Sequence, residues 1–132
     1  MLLLVAMLSV GCATPYQQMD RMGGYADAQL AARVFEIRFV GNGYTRRTTV
    51  EAYAMRRAAE VTVSHGFAGF VEMQSNGGTD QSLMYVNDQA QVVSKHSMTK
   101  RIYLLTAQEM GQVPAALDAR LILARPAEAD ED

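Results

Sequence analysis

Hydrophobic residues follow three patterns in the first half of the chain. Residues 1–11 form an almost unbroken apolar run. Residues 34–40 alternate, with aromatic and aliphatic side chains on one face and charged ones on the other, which predicts a half-buried strand. Residues 48–65 instead place apolar side chains three and four positions apart, which predicts an amphipathic helix.

Local signals mark the ends of the predicted helix. Residues 41–43 read Gly-Asn-Gly, and glycine readily adopts the positive φ angles of a sharp turn after the strand. Thr45 and Thr48 are both candidate N-caps, and Thr48 has Glu51 at the spacing of a capping box. Gly66 is expected as the C′ residue that ends the helix.

The second half of the chain is less regular. Residues 67–74 and 98–106 each predict a strand, the first largely buried. Residues 76–95 are mostly polar and predict a long loop. Within that loop, the apolar pair at 92–93 either extends the following strand backward or forms a short strand of its own. Residues 116–124 fit a short helix or a terminal strand, and we favour the helix.

Together these elements predict an α+β fold class. The expected architecture is a small antiparallel or mixed sheet of three to four strands packed on one long helix, in the order β-α-β-β, with a short C-terminal helix. The low periodicity of residues 12–32 predicts a flexible tether that begins at the cysteine. Residues 33–125 are then a single domain, and residues 126–132 an acidic disordered tail.

The only cysteine, Cys12, directly follows the apolar run. That run is shorter than the roughly 20 residues that span a bilayer, but it suits the core of a secretory signal peptide. The small Gly11 before the cysteine favours a lipoprotein signal, in which the thiol receives a diacylglycerol anchor. We therefore expect residues 1–11 to be a signal peptide and Cys12 to be lipidated. The alternative is a buried free cysteine.

The charged residues of the chain indicate which classes of partner it can bind. The chain has 12 Lys and Arg against 14 Asp and Glu, a formal net charge of −2. A nucleic-acid-binding domain would carry a basic excess, so no nucleic-acid partner is expected. No polybasic cluster suited to anionic head groups is evident either, so the lipid anchor is the expected membrane contact.

Metal and nucleophile chemistry have little support in the sequence. His65 and His96 are the only histidines, expected at a helix end and in a surface loop, so neither a metal site nor another cofactor is expected. Ser64 and Ser94 lie near them in the chain, but residues this close on a helix or strand do not face one another as a catalytic triad requires. No catalytic residue is assigned, and the protein is not expected to be an enzyme.

The turn before the helix is the candidate binding site. Gly41, Asn42 and Gly43 can offer backbone amides to an anion at a helix N-terminus. Arg46 and Arg47 follow directly and would add positive charge. The alternative is a structural turn and cap whose two arginines are simply solvated.

Four stretches carry a family resemblance. The chain reads Gly-Cys-Ala-Thr-Pro-Tyr at 11–16, Gly-Tyr-Ala-Asp-Ala-Gln-Leu at 24–30, Phe-Val-Gly-Asn-Gly-Tyr-Thr at 39–45 and Arg-Ala-Ala-Glu at 57–60. Together they resemble a family of short proteobacterial lipoproteins of unknown function, known mainly from Caulobacter and its relatives. The resemblance implies an envelope location and a fold, and it brings no catalytic residues.

The expected function is therefore a non-catalytic binding or structural role in the cell envelope. Ala13 after the lipidated cysteine favours the periplasmic face of the outer membrane, because Asp there retains many lipoproteins at the inner membrane. The expected partner is an envelope protein or a cell-wall polymer. The alternative is a sensor of a small anion or cell-wall ligand at residues 41–47, and a hydrolytic enzyme comes third.

Overall fold

A computed structural model describes residues 13–125, apart from the side chains of residues 84 and 86. Its strands form one antiparallel sheet with an α-helix across one face. The elements in chain order are β1 (Gly24–Ala31), β2 (Val34–Val40), α1 (Arg47–Ser64), β3 (Gly69–Val86), β4 (Gln89–Leu105), α2 (Ala107–Met110), β5 (Leu117–Asp118) and α3 (Ala119–Ala124).

The expected fold class is wrong. Within the described residues the sheet has five strands, in the spatial order β1-β2-β4-β3-β5, rather than three to four. The predicted order β-α-β-β omits β1 and β5. Strand β1 lies at the edge of the sheet, and most of its side chains are exposed on both faces. Its sequence therefore lacks the alternation of apolar and polar residues that marks a half-buried strand.

The core lies between α1 and the inward face of the sheet. The predicted alternation of β2 is confirmed, since Phe35, Ile37 and Phe39 are all buried. On β4, Ile102 and Leu104 face the same way and are fully buried. The helix meets these larger side chains mainly with small ones. Its buried residues are Thr49, Val50, Ala54, Ala58, Ala59, Val61 and Thr62.

The start of α1 differs from the prediction. Its N-cap is Arg46, which makes no side-chain capping bond, so neither Thr45 nor Thr48 caps the helix. Thr45 is instead buried, and its hydroxyl accepts a hydrogen bond from the amide of Thr14 at 2.8 Å. A long-range contact therefore takes the place of the predicted local cap.

The end of α1 confirms the prediction for Gly66. This residue has a φ of +79°, a left-handed conformation that glycine adopts without a Cβ penalty. Its amide donates to the carbonyl of Val63, and the amide of Phe67 donates to the carbonyl of Thr62. This pair of bonds is a Schellman cap, which satisfies two terminal carbonyls of the helix.

The segment assigned to a flexible tether folds onto the domain. Strand β1 pairs with β2 along nearly its whole length. Before it, Thr14 is only 2% exposed. The ring of Tyr16 lies 5.1 Å from that of Tyr25 and 5.4 Å from that of Tyr53 on α1. The folded part therefore includes residue 14, and the predicted domain start at residue 33 is wrong.

An ion pair also joins β1 to α1. The Nε of Arg57 lies 3.0 and 2.9 Å from the two carboxylate oxygens of Asp27, and its guanidinium stacks 4.2 Å from the ring centre of Tyr25. The hydrogen bond to Asp27 raises the pKa of Arg57. An edge strand with few buried side chains is thus held by charge and stacking as well as by its ladder.

Strands β3 and β4 form a hairpin that extends beyond the rest of the sheet. They pair along their full length, whereas β2 reaches only residues 97–103 of β4. Asn87 and Asp88 connect them with φ angles of 51° and 61°, as in a type I′ turn. The predicted loop at 76–95 is therefore wrong, and the backward extension of the strand through 92–93 is confirmed. We call residues 77–96 the hairpin arm.

The ambiguous C-terminal stretch contains both predicted alternatives. Leu117 and Asp118 form β5, which pairs with the start of β3. The Asp118 carboxylate then caps α3 by accepting hydrogen bonds from the amides of Arg120 and Leu121.

The predicted signal peptide at 1–11, the lipidated Cys12 and the acidic tail at 126–132 lie outside the described residues. Across residues 13–125, no helix combines the length and the apolar character needed to cross a membrane.

Candidate functional site

A cleft of about 620 Å³ separates the turn before α1 from the hairpin arm. One wall is the turn at residues 42–46, and the other is the part of β4 at residues 91–96. Arg21 and Met22 contribute from the loop before β1. The cleft therefore brings together three segments that are far apart in the sequence.

A hydrogen-bond network fixes the turn wall. The hydroxyl of Thr14 accepts a bond from the Asn42 amide at 2.7 Å and donates one to the carbonyl of Met22 at 2.6 Å. The Asn42 carboxamide oxygen accepts from the Thr45 hydroxyl at 2.9 Å and from the Tyr44 amide at 3.0 Å. The turn is thus preorganised by the N-terminal segment as well as by its own side chains.

The structure places some of the predicted site residues in the cleft and others outside it. Asn42, Gly43 and Arg46 line it. Gly41 is buried behind the lining, where its amide donates to the carbonyl of His96 at 2.8 Å. Arg47 lies outside the lining, and its guanidinium donates to the hydroxyl of Thr79 at 3.3 Å.

The predicted reason for the two glycines is also wrong. Neither Gly41 nor Gly43 has a positive φ angle. Space explains them instead. A Cβ on Gly41 would lie 2.6 Å from the Cβ of Thr45, and a Cβ on Gly43 would overlap Cγ1 of Val93. Both glycines are therefore required by close packing, the second against the opposite wall of the cleft.

Cationic side chains line the cleft, although the chain as a whole has a negative formal net charge. Arg21, Arg46 and Lys95 line it together with His96. Among residues 13–125, no Asp or Glu contributes to the lining. The chain as a whole has a formal net charge of −2, so cationic side chains are concentrated at the cleft. Such a concentration of positive charge favours anionic ligands.

Sequence reasoning missed the β4 wall of the cleft and the contribution of Arg21 from the loop before β1. Arg21 lies in the segment assigned to the tether, and Val93 and Lys95 lie in the predicted loop. The signal that was available is Asn87-Asp88, a dipeptide suited to the positive φ angles of a two-residue hairpin turn. A hairpin centred there places Lys95 on a strand.

The two histidines lie on different elements of the fold. His65 ends α1, where its Nδ1 lies 2.8 Å from the carbonyl of Val61. His96 lies on β4, not in a loop, and its Nδ1 is 3.1 Å from the hydroxyl of Thr79. The described residues contain no group of three or more His, Cys, Asp and Glu side chains placed to hold a metal ion.

A second polar cluster lies on the other side of the N-terminal segment. Burial raises the pKa of the Tyr16 hydroxyl, and the neighbouring Glu60 acts in the same direction. The guanidinium of Arg56 lies 5.5 Å from the ring centre of Tyr16. These groups pack β1 and the residues before it onto α1, and this packing stabilises the fold.

No protein-family model, curated protein or solved structure matches the chain. The chemistry of the cleft therefore carries the functional proposal.

Proposed function

We propose that this chain is a lipid-anchored protein of the bacterial cell envelope that binds an anionic envelope component without catalysing a reaction. The anchor is Cys12, at the periplasmic face of the outer membrane. The binding site is the cleft between residues 42–46 and 91–96. The observation that carries the binding role is the cationic lining of Arg21, Arg46 and Lys95, without a carboxylate among the described lining residues.

The packing of Thr14 supports a cleft held near the membrane. Cys12 precedes this buried residue by two positions, and two peptide units span at most about 7 Å. Thr14 is hydrogen-bonded to Asn42 and Thr45 in the turn wall. A lipid on Cys12 would therefore hold this wall close to the head groups, where it meets components bound to the same membrane.

Two charge variants test the proposal. The full chain, purified in a non-ionic detergent, is immobilised and exposed to soluble muropeptides and separately to detergent-solubilised envelope proteins. We expect salt-sensitive binding to one fraction, weakened at least about tenfold in the Arg21→Gln, Lys95→Gln double variant. The matched control is Arg38→Gln, Arg125→Gln, which removes two exposed cations away from the cleft. Binding that is unchanged by the first pair, or equally reduced by both, would overturn the proposal.

A further inference from the structure

The cleft runs along an open edge of the sheet. Strand β2 pairs with β4 up to Val40, which lies opposite Ser97. One further hydrogen bond follows, from the amide of Gly41 to the carbonyl of His96. After this bond the chain turns away toward α1. Within residues 13–125, no strand lies beside residues 90–95 of β4 on that side.

The backbone groups on this edge point into the cleft. In an antiparallel strand the N–H and C=O of one residue point to the same side, and the side alternates along the chain. The amide of Leu104 and the carbonyl of His96 both point toward the β2 side. Val92 and Ser94 are an even number of positions away from His96 and Leu104 on the same strand. Their amides and carbonyls therefore also point toward the β2 side. No backbone group elsewhere in the described chain binds them there.

The two faces of the edge differ in chemistry. On one face Val92 is 65% exposed and lies opposite Leu83, which is 64% exposed. On the other face, Lys95 and Val93 line the cleft. Asp80 lies opposite Lys95 in the hairpin, but the described structure contains no ion pair between them. A strand laid against this edge would meet the exposed Val92 on one face and the Lys95 cation, beside Val93, on the other.

We propose that an extended peptide segment of a partner protein, with alternating acidic and apolar side chains, binds as an additional strand against residues 90–96. The inference rests on the proposed binding role of the cleft and names the partner. The peptide backbone pairs with the amides and carbonyls of Val92 and Ser94, which is strand addition to an exposed edge. Its acidic side chains face Lys95, and its apolar side chains cover Val92.

The geometry favours a peptide over a glycan. A glycan strand has no regular ladder of alternating donors and acceptors to match the edge, whereas an extended peptide has one. Such a partner would also stabilise the hairpin arm. A two-stranded ribbon is only marginally stable in water, and the peptide would add a third strand. Charge then selects the partner, since the lining cations favour carboxylates.

The test begins with selection of a phage-displayed library of random twelve-residue peptides against the full chain in detergent. Enriched peptides are synthesised with a fluorescent label, and their dissociation constants are measured by polarisation. We expect acidic sequences with alternating apolar residues. Binding should weaken at least about tenfold in Ser94→Pro, which removes the edge amide and blocks the approaching strand. Ser94→Ala is the matched control, because it removes the hydroxyl and keeps the amide.

A second measurement covers the case in which Ser94→Pro perturbs the fold, as judged by circular dichroism. Each selected peptide is remade with N-methyl groups on alternate amides, in both phases. Strand addition requires one phase to abolish binding and the other to be tolerated. Failure to enrich any peptide, equal binding to Ser94→Pro and Ser94→Ala, or indifference to the phase of methylation overturns the inference. Salt-sensitive binding of an envelope fraction that depends on Arg21 and Lys95 would then leave the proposed function standing.

Discussion

The backbone amide of Thr14 donates a hydrogen bond to the Thr45 hydroxyl at 2.8 Å, across 31 positions of sequence. The Thr14 hydroxyl in turn binds the carbonyl of Met22 and the amide of Asn42. One buried residue near the N-terminus therefore holds together the loop before β1 and the turn before α1. Both of these segments line the cleft.

Thr14→Val tests this network. The substitution keeps the shape of the side chain and removes the hydroxyl, which leaves the Asn42 amide and the Met22 carbonyl without that partner. We expect a loss of about 1–3 kcal/mol in the free energy of unfolding, measured by urea denaturation. Thr48→Val, at an exposed position on α1, is the control. Equal midpoints for Thr14→Val and the parent would show that the contact contributes nothing.

Gly41→Ala tests the packing explanation for the turn. The new methyl group would lie 2.6 Å from the Thr45 Cβ and 3.0 Å from Val50 Cγ2, so the turn or the helix must shift. Overpacking of this kind costs about 1–3 kcal/mol. Gly111→Ala is the control, because the nearest atom to its added methyl is 3.8 Å away and its φ is −74°. The same thermal midpoint in both variants would contradict the close contact.

The Glu109 carboxylate gives a prediction for acid stability. Hydrogen bonds from Thr106, together with the Arg33 guanidinium at 2.8 Å, lower its pKa from 4.5 to about 2. The unfolded chain therefore binds a proton at this site at higher pH than the folded one. Its contribution to stability is complete above pH 4.5 and is lost as the pH falls toward 2. In Glu109→Gln, thermal midpoints should fall less between pH 5 and pH 2 than in the parent. A parallel decline in the two proteins would refute this assignment.

Replacement of Cys12 tests the anchor. Cells expressing the parent chain should incorporate labelled fatty acid into the protein, and Cys12→Ser should incorporate none, because the serine cannot form the thioether. Thr14→Val keeps the cysteine and serves as a labelling control. Continued labelling of Cys12→Ser would rule out this cysteine as the lipid attachment site.

The parts of the fold that sequence predicts are those with one buried face. In β2, the inward positions Phe35, Ile37 and Phe39 alternate with polar residues because water contacts only the other face. The hairpin arm has exposed side chains along most of both strands, so its sequence shows no such period. Its strands are specified by their mutual ladder and by the turn at Asn87 and Asp88.

Local sequence patterns predicted one wall of the cleft and not the other. Its turn wall is a contiguous stretch, and the predicted site residues Asn42, Gly43 and Arg46 do line the cleft. The predicted role of the backbone amides is wrong for two residues, because the Asn42 amide is bound to the Thr14 hydroxyl and the Gly41 amide to the His96 carbonyl. Its other wall, including Lys95, lies about fifty residues later and reaches the turn only through the register of β4 against β2. That register depends on pairing between distant strands, which local patterns do not specify.

Photocrosslinking in intact cells tests the binding role of the cleft most directly. A benzophenone amino acid is placed at Val92, beside the open edge, or at Arg38, exposed on β2 and outside the cleft lining. We predict that irradiation yields a discrete higher-mass adduct from position 92 and none from position 38. The adduct from position 92 should diminish in the Arg21→Gln, Lys95→Gln background. Adducts from position 38 alone, or an adduct from position 92 that does not depend on those two charges, would contradict a binding role for the cleft.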